Sequence, residues 1–225
     1  MTPEREKREA GWVLWFVGLP GAGKTTYARA VHDALQERGE DVRYLAMDER
    51  RQVYSPNPTY TPQERAKAYR LFVEDAAQIA YQDTNVIMDG TAPKRQMRWY
   101  AREVLPRFAE VLVRCSLEMA MKREGGRPEG HVMADLYRKA LERKETGGSF
   151  EGLGEVIGVD TPFEEDPMAE CVIDSEHMTV EEGRDLVLAF LLTWGSEAGS
   201  ATGRNKEQAQ DDELGGSASH RQRFS

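Results

Sequence analysis

Gly18-Leu19-Pro20-Gly21-Ala22-Gly23-Lys24-Thr25 is the stretch on which the fold turns. It matches the pattern GxxxxGK[ST], in which glycines let backbone N–H groups turn onto phosphate oxygens. Before it, Trp12 to Val17 is an apolar, β-prone run of the kind buried on both faces of a parallel sheet. After it, Thr26 to Arg38 carries Ala28, Val31, Ala34 and Leu35 at helical spacing, with Gly39 placed to close the helix. Strand, glycine loop and helix in this order form a nucleoside-triphosphate cradle. Lys24 reaches the terminal phosphates, Thr25 ligates Mg²⁺, and the helix N-terminus adds partial positive charge. Gly18, Gly21, Ala22, Gly23, Lys24, Thr25 and Thr26 are therefore the candidate ATP contacts.

Composition narrows what surrounds this loop. A chain of 225 residues is long enough to bury a core without disulfides. Its two cysteines, Cys115 and Cys171, stand alone in apolar stretches and read as buried small side chains in a reducing compartment. The four histidines are scattered, so no zinc ligand set is expected. No apolar run is long enough to span a membrane, and the charged start is unlike a signal peptide, so a cytoplasmic protein with no membrane partner is expected. A net charge of −9 argues against general binding to nucleic acid. An anionic small-molecule substrate must then be held by local arginine and lysine clusters.

Outward from the loop, apolar segments alternate with helical ones. Strands are expected at Val42–Met47, Val86–Met88, Glu110–Cys115 and Cys171–Ile173. Helices are expected from Pro62 to Asp83, where Thr61 and Glu64 form a capping box, from Pro93 to Phe108, over Leu117–Glu124, over Asp135–Lys144, and from Thr179 to near Trp194. Between Asp48 and Thr61 a proline-bearing loop is expected. This is an α/β pattern, a parallel sheet with helices on both faces. Residues 1–10 read as a charged extension, 11–195 as the P-loop kinase domain, about 125–168 as a glycine-rich mobile lid, and 196–225 as a disordered tail.

Ligands in such folds bind beyond the carboxyl ends of the strands, which draws Asp48 and Asp89 toward the phosphate loop. If a hydroxyl attacks the γ-phosphorus, a carboxylate must orient it or take its proton, and Asp48 is the candidate catalytic residue alongside Lys24. Asp89, closing an apolar strand, is a candidate metal or substrate ligand with Thr25; a plain turn residue before Gly90 is the competing reading. Arg51, Arg65 and Arg70 are candidates to clamp a second anionic group, and Arg123 to stack on adenine or touch its phosphates. No NKxD string supplies guanine selectivity.

From Gly11 to about Leu192 the chain resembles the adenylyl-sulfate kinases, P-loop enzymes that phosphorylate the 3′-hydroxyl of adenylyl sulfate. Met47–Arg51 is similar to that family's GDNxR segment, which implies a catalytic role for Asp48 and a substrate contact for Arg51. Tyr60–Arg70 resembles the following helix with its substrate arginines, Arg70 being the better match. Leu117–Arg123 resembles the PLExxxxRD element, with Glu124 in place of aspartate. Leu136–Ala140 resembles the LYKKA lid helix, which brings in Lys139 as a substrate contact, and Gly158–Glu164 the GIDxPYE loop. The resemblance also implies a homodimer.

The departures from that family concentrate on the acceptor side. Ala46 stands where its DGD has the first aspartate, Ala92 where its FISP has serine, Ala68 in place of an asparagine, and Gly154 in place of a lysine. Val86–Arg98 also resembles the polynucleotide-kinase and zeta-toxin-like group, in which a DxT strand end precedes an arginine-bearing helix. The expected function is phosphoryl transfer from ATP to adenylyl sulfate. The alternatives are a P-loop kinase of another small hydroxyl acceptor, polynucleotide-kinase-like among them, and a nucleotide-binding module that hydrolyses little.

Overall fold

In the computed structural model, which describes residues 10–56, 58–59, 61–126, 135–150 and 152–194, five strands form one parallel sheet. They are β1 (Val13–Val17), β2 (Val42–Ala46), β3 (Asn85–Asp89), β4 (Phe108–Arg114) and β5 (Cys171–Asp174), in the order β2-β3-β1-β4-β5. The order reverses around β1, so the loop that follows β1 opens into the crevice where ligands bind in doubly wound sheets. Register brings the functional strand ends level, with Phe16 opposite Asp89 and Ala46 opposite Asp89.

The helices are α1 (Lys24–Glu37), α2 (Met47–Tyr54), α3 (Pro62–Ala80), α4 (Arg95–Val104), α5 (Leu117–Gly125) and α6 (Leu136–Thr146). β1 is buried along its whole length. Its residues Val13, Trp15 and Val17 join Tyr69, Phe72, Val73 and Ala76 of α3 and Ala101 of α4 in the main core. Side chains alternate across a strand, so Leu14 and Phe16 point to the opposite face, and α1 contacts β1, β2 and β3. Trp15 sits at the centre of the first face, its ring 5.8 Å from Tyr69 and 5.9 Å from Phe72. Burying one such aromatic contributes about 2–3 kcal/mol.

Two expectations change. Asp48 does not end a strand: Met47–Tyr54 is helical, and Asp48 lies in its first turn, where acidic side chains complement the helix dipole. The strand therefore stops at Ala46 and a helix replaces the first half of the expected loop. The lid segment is also more than a cover. Leu136, Tyr137 and Ala140 of α6 pack with Ala120 of α5 and Val156 into a second, smaller core, against which Leu19 and Leu117 rest.

The terminal capping box forms as expected, Thr179 N–H donating to Glu182 Oε2 at 2.8 Å and Glu182 N–H to Thr179 Oγ1 at 3.2 Å. The described residues fall into two compact units, up to Leu186 and from Val187 onward. Residues 187–194 are helical, with the rings of Phe190 and Trp194 stacked 5.5 Å apart. Among the described residues no helix is long and apolar enough to cross a membrane. The expected N-terminal extension and C-terminal tail lie outside the described residues, save Ala10.

Candidate functional site

The phosphate loop is shaped by what surrounds it. Gly18 has φ +145° and Gly21 φ +84°, and a β-carbon on either would come within 2.3 Å of a carbonyl oxygen, that of Val113 or of Ala120. Only glycine lets the loop lie this close to β4 and α5. Gly23 is the N-cap of α1, so the helix starts at Lys24 and its first N–H groups are turned toward the loop. Lys24 Nζ spans the loop to donate to Leu19 O at 2.9 Å. Ala22 and Thr26 complete the turn through Ala22 N–H to Leu19 O and Thr26 N–H to Gly23 O, both 3.0 Å.

A cavity of about 850 Å³ opens beside this loop. Lys24, Thr25, Asp89 and Gly90 line its phosphate side, and Asp48, Arg51, Arg65 and Tyr69 the side formed by α2 and α3. Lys139 and residues 152–157 enclose it from the lid. The size suits a nucleotide-scale ligand. Lys24, Arg51, Arg65 and Lys139 bring four cations into its lining, beside the carboxylates Asp48, Glu49, Asp89, Glu124 and Glu155. Arg51 is buried. Arg65 donates from Nη2 to Glu155 O at 2.8 Å, and burial, reinforced by the like charge of Arg51, pulls its pKa down.

The structure parts Arg70 from this group. Its guanidinium is solvent-exposed, pairs with Glu74 at 3.0 Å and lies over the Tyr100 ring at 5.4 Å, outside the cavity lining. Arg65 and Arg70 are five residues apart on one helix, about 140° around its axis, so the two cannot share a face. Arg65, the poorer motif match, is the one that reaches the cavity. Arg123 is tied between the phosphate loop and the turn after β5, donating to Ser175 Oγ at 2.9 Å, to Ser175 O at 2.6 Å and more weakly to Ala22 O at 3.4 Å.

Thr25 Oγ1 donates to Asp89 Oδ2 at 2.6 Å, so the two expected metal-side residues meet directly. A hydroxyl and a carboxylate are hard oxygen donors of the kind Mg²⁺ takes, with phosphates and water filling the remaining positions. Among the described residues no group of three or more His, Cys, Asp or Glu side chains could hold a metal ion by itself. The residues present therefore fit a metal carried in with the nucleotide.

Sequence reasoning missed three groups here. Tyr44 on β2 donates to Asp89 Oδ2 at 2.9 Å. Glu124, fully buried at the end of α5, accepts from Leu136 N–H at 2.8 Å and so caps α6 from a distance. Arg98, the last residue of the stretch that resembles the polynucleotide-kinase group, is fully buried and paired with Glu110 at 3.0 Å. A charged residue at a core-facing position of α4 was the one available signal for it.

Comparison with known proteins places this geometry among its relatives. The family model described as adenylylsulphate kinase matches residues 10–174. A probable adenylyl-sulfate kinase of Archaeoglobus fulgidus is 36% identical over 165 residues, spanning 73% of this chain and 96% of that protein. An adenylyl-sulfate kinase of Paraburkholderia xenovorans is 33% identical over 190 residues, spanning 84% of this chain and 97% of that protein. Among solved structures, the Mycobacterium tuberculosis APS kinase CysC in complex with AMPPNP and APS superposes with a TM-score of 0.68 at 22% identity, covering 81% of this chain and 98% of that one. At that identity the likeness speaks for the fold.

Proposed function

The chain belongs to the adenylylsulphate kinase family, and on that premise we propose that it transfers the γ-phosphoryl group of ATP to the 3′-hydroxyl of adenylyl sulfate. The observation that carries the proposal is one cavity lined on one side by Lys24, Thr25 and Asp89 and on the other by Asp48, Arg51 and Arg65. The loop N–H groups and Lys24 bind the phosphates and neutralise charge as it shifts to the leaving group. Thr25 and Asp89 would hold Mg²⁺, which when bound draws charge off the β- and γ-phosphate oxygens. Arg123 steadies the loop from the nucleotide side.

On the acceptor side Arg51, Arg65 and Lys139 hold the anionic groups of the second nucleotide, and Asp48 orients its hydroxyl and accepts the proton. Arg70 has no part in this arrangement. The segment 152–157 and α6 exclude water, so that the γ-phosphoryl group meets the acceptor and not solvent. A homodimer is proposed on family grounds, and sedimentation equilibrium tests it.

A second reading rests on a specific observation. Of the four departures from the family's acceptor pattern, Ala46 and Gly154 line the cavity, whereas Ala68 and Ala92 do not. Two side chains are thus trimmed where the acceptor lies, which favours a different small hydroxyl compound in the same pocket. A coupled ATP-consumption assay with adenylyl sulfate, with the product identified by mass, separates the two. A 3′-phosphorylated product supports the first reading. Turnover only with another nucleotide or sugar, and none with adenylyl sulfate, supports the second.

A further inference from the structure

Tyr44 belongs to none of the motifs above, yet it touches the residue that links the strand ends to the phosphate loop. β2 runs parallel to β3, with Tyr44 opposite Ile87 and Ala46 opposite Asp89. Side chains two apart on a strand share a face, so Tyr44 and Ala46 point the same way as Asp89. The phenol therefore reaches Asp89 along a row to which position 46 contributes only a methyl group. Its hydroxyl donates to Asp89 Oδ2 at 2.9 Å, the same oxygen that accepts from Thr25 Oγ1 at 2.6 Å.

The ring is held as firmly as the hydroxyl. Arg29 lies over it at 5.2 Å and the His32 ring meets it edge-on at 5.6 Å. Both come from α1, the helix that begins with Lys24 and Thr25. Asp89 is itself buried, and among the described residues none donates to its Oδ1.

We propose that Tyr44 is a positioning residue for the metal side of the site: with Thr25 it engages Oδ2 of Asp89, fixing the carboxylate so that Oδ1 is presented to the water shell of the nucleotide-bound cation. A single-residue device thus ties α1, β2 and β3 to one carboxylate orientation. The inference rests on the reading above that Thr25 and Asp89 serve Mg²⁺. It goes beyond that reading by assigning the orientation of Asp89 to a residue outside the cavity lining.

The test is calorimetric titration of the full chain with a non-hydrolysable ATP analogue, once with Mg²⁺ and once with a chelator, for wild type, Tyr44→Phe and Asp89→Asn. Tyr44→Phe removes one hydroxyl, and loss of one hydrogen bond to a charged group should weaken the Mg²⁺-dependent gain in affinity about tenfold. Metal-free affinity should be unchanged, which also reports that the variant is folded. Equal losses with and without Mg²⁺, or no loss at all, would overturn the proposal. If Asp89→Asn leaves the Mg²⁺-dependent gain intact, the metal reading of Asp89 fails and takes this inference with it. If Asp89→Asn abolishes the gain while Tyr44→Phe preserves it, only the role of Tyr44 is lost.

Discussion

Replacing Arg98 with methionine is the perturbation whose consequence the structure sets most tightly. Arg98 on α4 and Glu110 on β4 are both fully buried, with Nε 3.0 Å from Oε1. Arg98 also donates to Ala92 O and Glu164 O, joining the segment after β3 to the C-terminal end of the lid segment. Methionine keeps the length of the side chain and removes its charge and its donors. Breaking a buried pair from one side costs about 3–5 kcal/mol, because the partner stays behind uncompensated. Burial pushes the Glu110 pKa up to about 7 even against the pull of Arg98, with the charge of Asp166 adding to the rise.

Because that folded-state value lies above the ordinary 4.5, the folded chain holds the proton more tightly. The Glu110 contribution to stability is therefore greatest below pH 4.5 and declines as pH rises to about 7, by about 3 kcal/mol in all. Removing Arg98 raises the value further, and the decline then continues above pH 7. Urea unfolding at pH 5.5 and pH 8 should show Arg98→Met losing several kcal/mol at pH 8 and clearly less at pH 5.5. Adding Glu110→Gln should remove most of that pH difference. A loss below about 1 kcal/mol at pH 8, or one that does not shrink at pH 5.5, would refute the reasoning.

The remaining expectations concern the cavity. Asp48→Asn should leave ATP-analogue affinity nearly intact while lowering turnover by ~10²-fold or more, measured under saturating ATP. Arg65→Ala should raise the KM for the acceptor by about tenfold or more, whereas Arg70→Ala, on the outward face of α3, should leave it unchanged; steady-state kinetics compares the two. Because Ala46 and Asp89 are register partners, the double variant Ala46→Asp/Asp89→Ala should regain part of the Mg²⁺-dependent nucleotide affinity lost in Asp89→Ala alone, as read by the same titration.

Much of this protein could be read along the chain. The run from Trp12 to Arg38 carries its strand, loop and helix in local periodicity and glycine placement, and the structure keeps them within two residues of their expected bounds. Thr179 and Glu182 announce a helix start that forms bond for bond. Such features are local: each depends on spacing over a few residues, which the sequence states outright. Asp48 stands at the expected end of the sheet but on a helix, which the sequence does not announce because a short polar helix such as Met47–Tyr54 has no strong apolar stripe.

Convergence is not written in any local stretch of the chain. Whether Arg65 or Arg70 meets the cavity depends on which face of α3 packs against Trp15, and that is set by Tyr69 and Phe72 entering a core built from distant strands. The pairing of Arg98 with Glu110 joins a helix to a strand that no motif connects. That Tyr44 and Thr25 share one oxygen of Asp89 follows from strand order and register, β2 beside β3 beside β1. Local spacing along the chain suffices to put a phosphate loop at a strand end with carboxylates and arginines near it. Which of those side chains face one another was settled by the packing of the two sheet faces, because a side chain's direction is fixed by the element beneath it and its partners by the elements across from it.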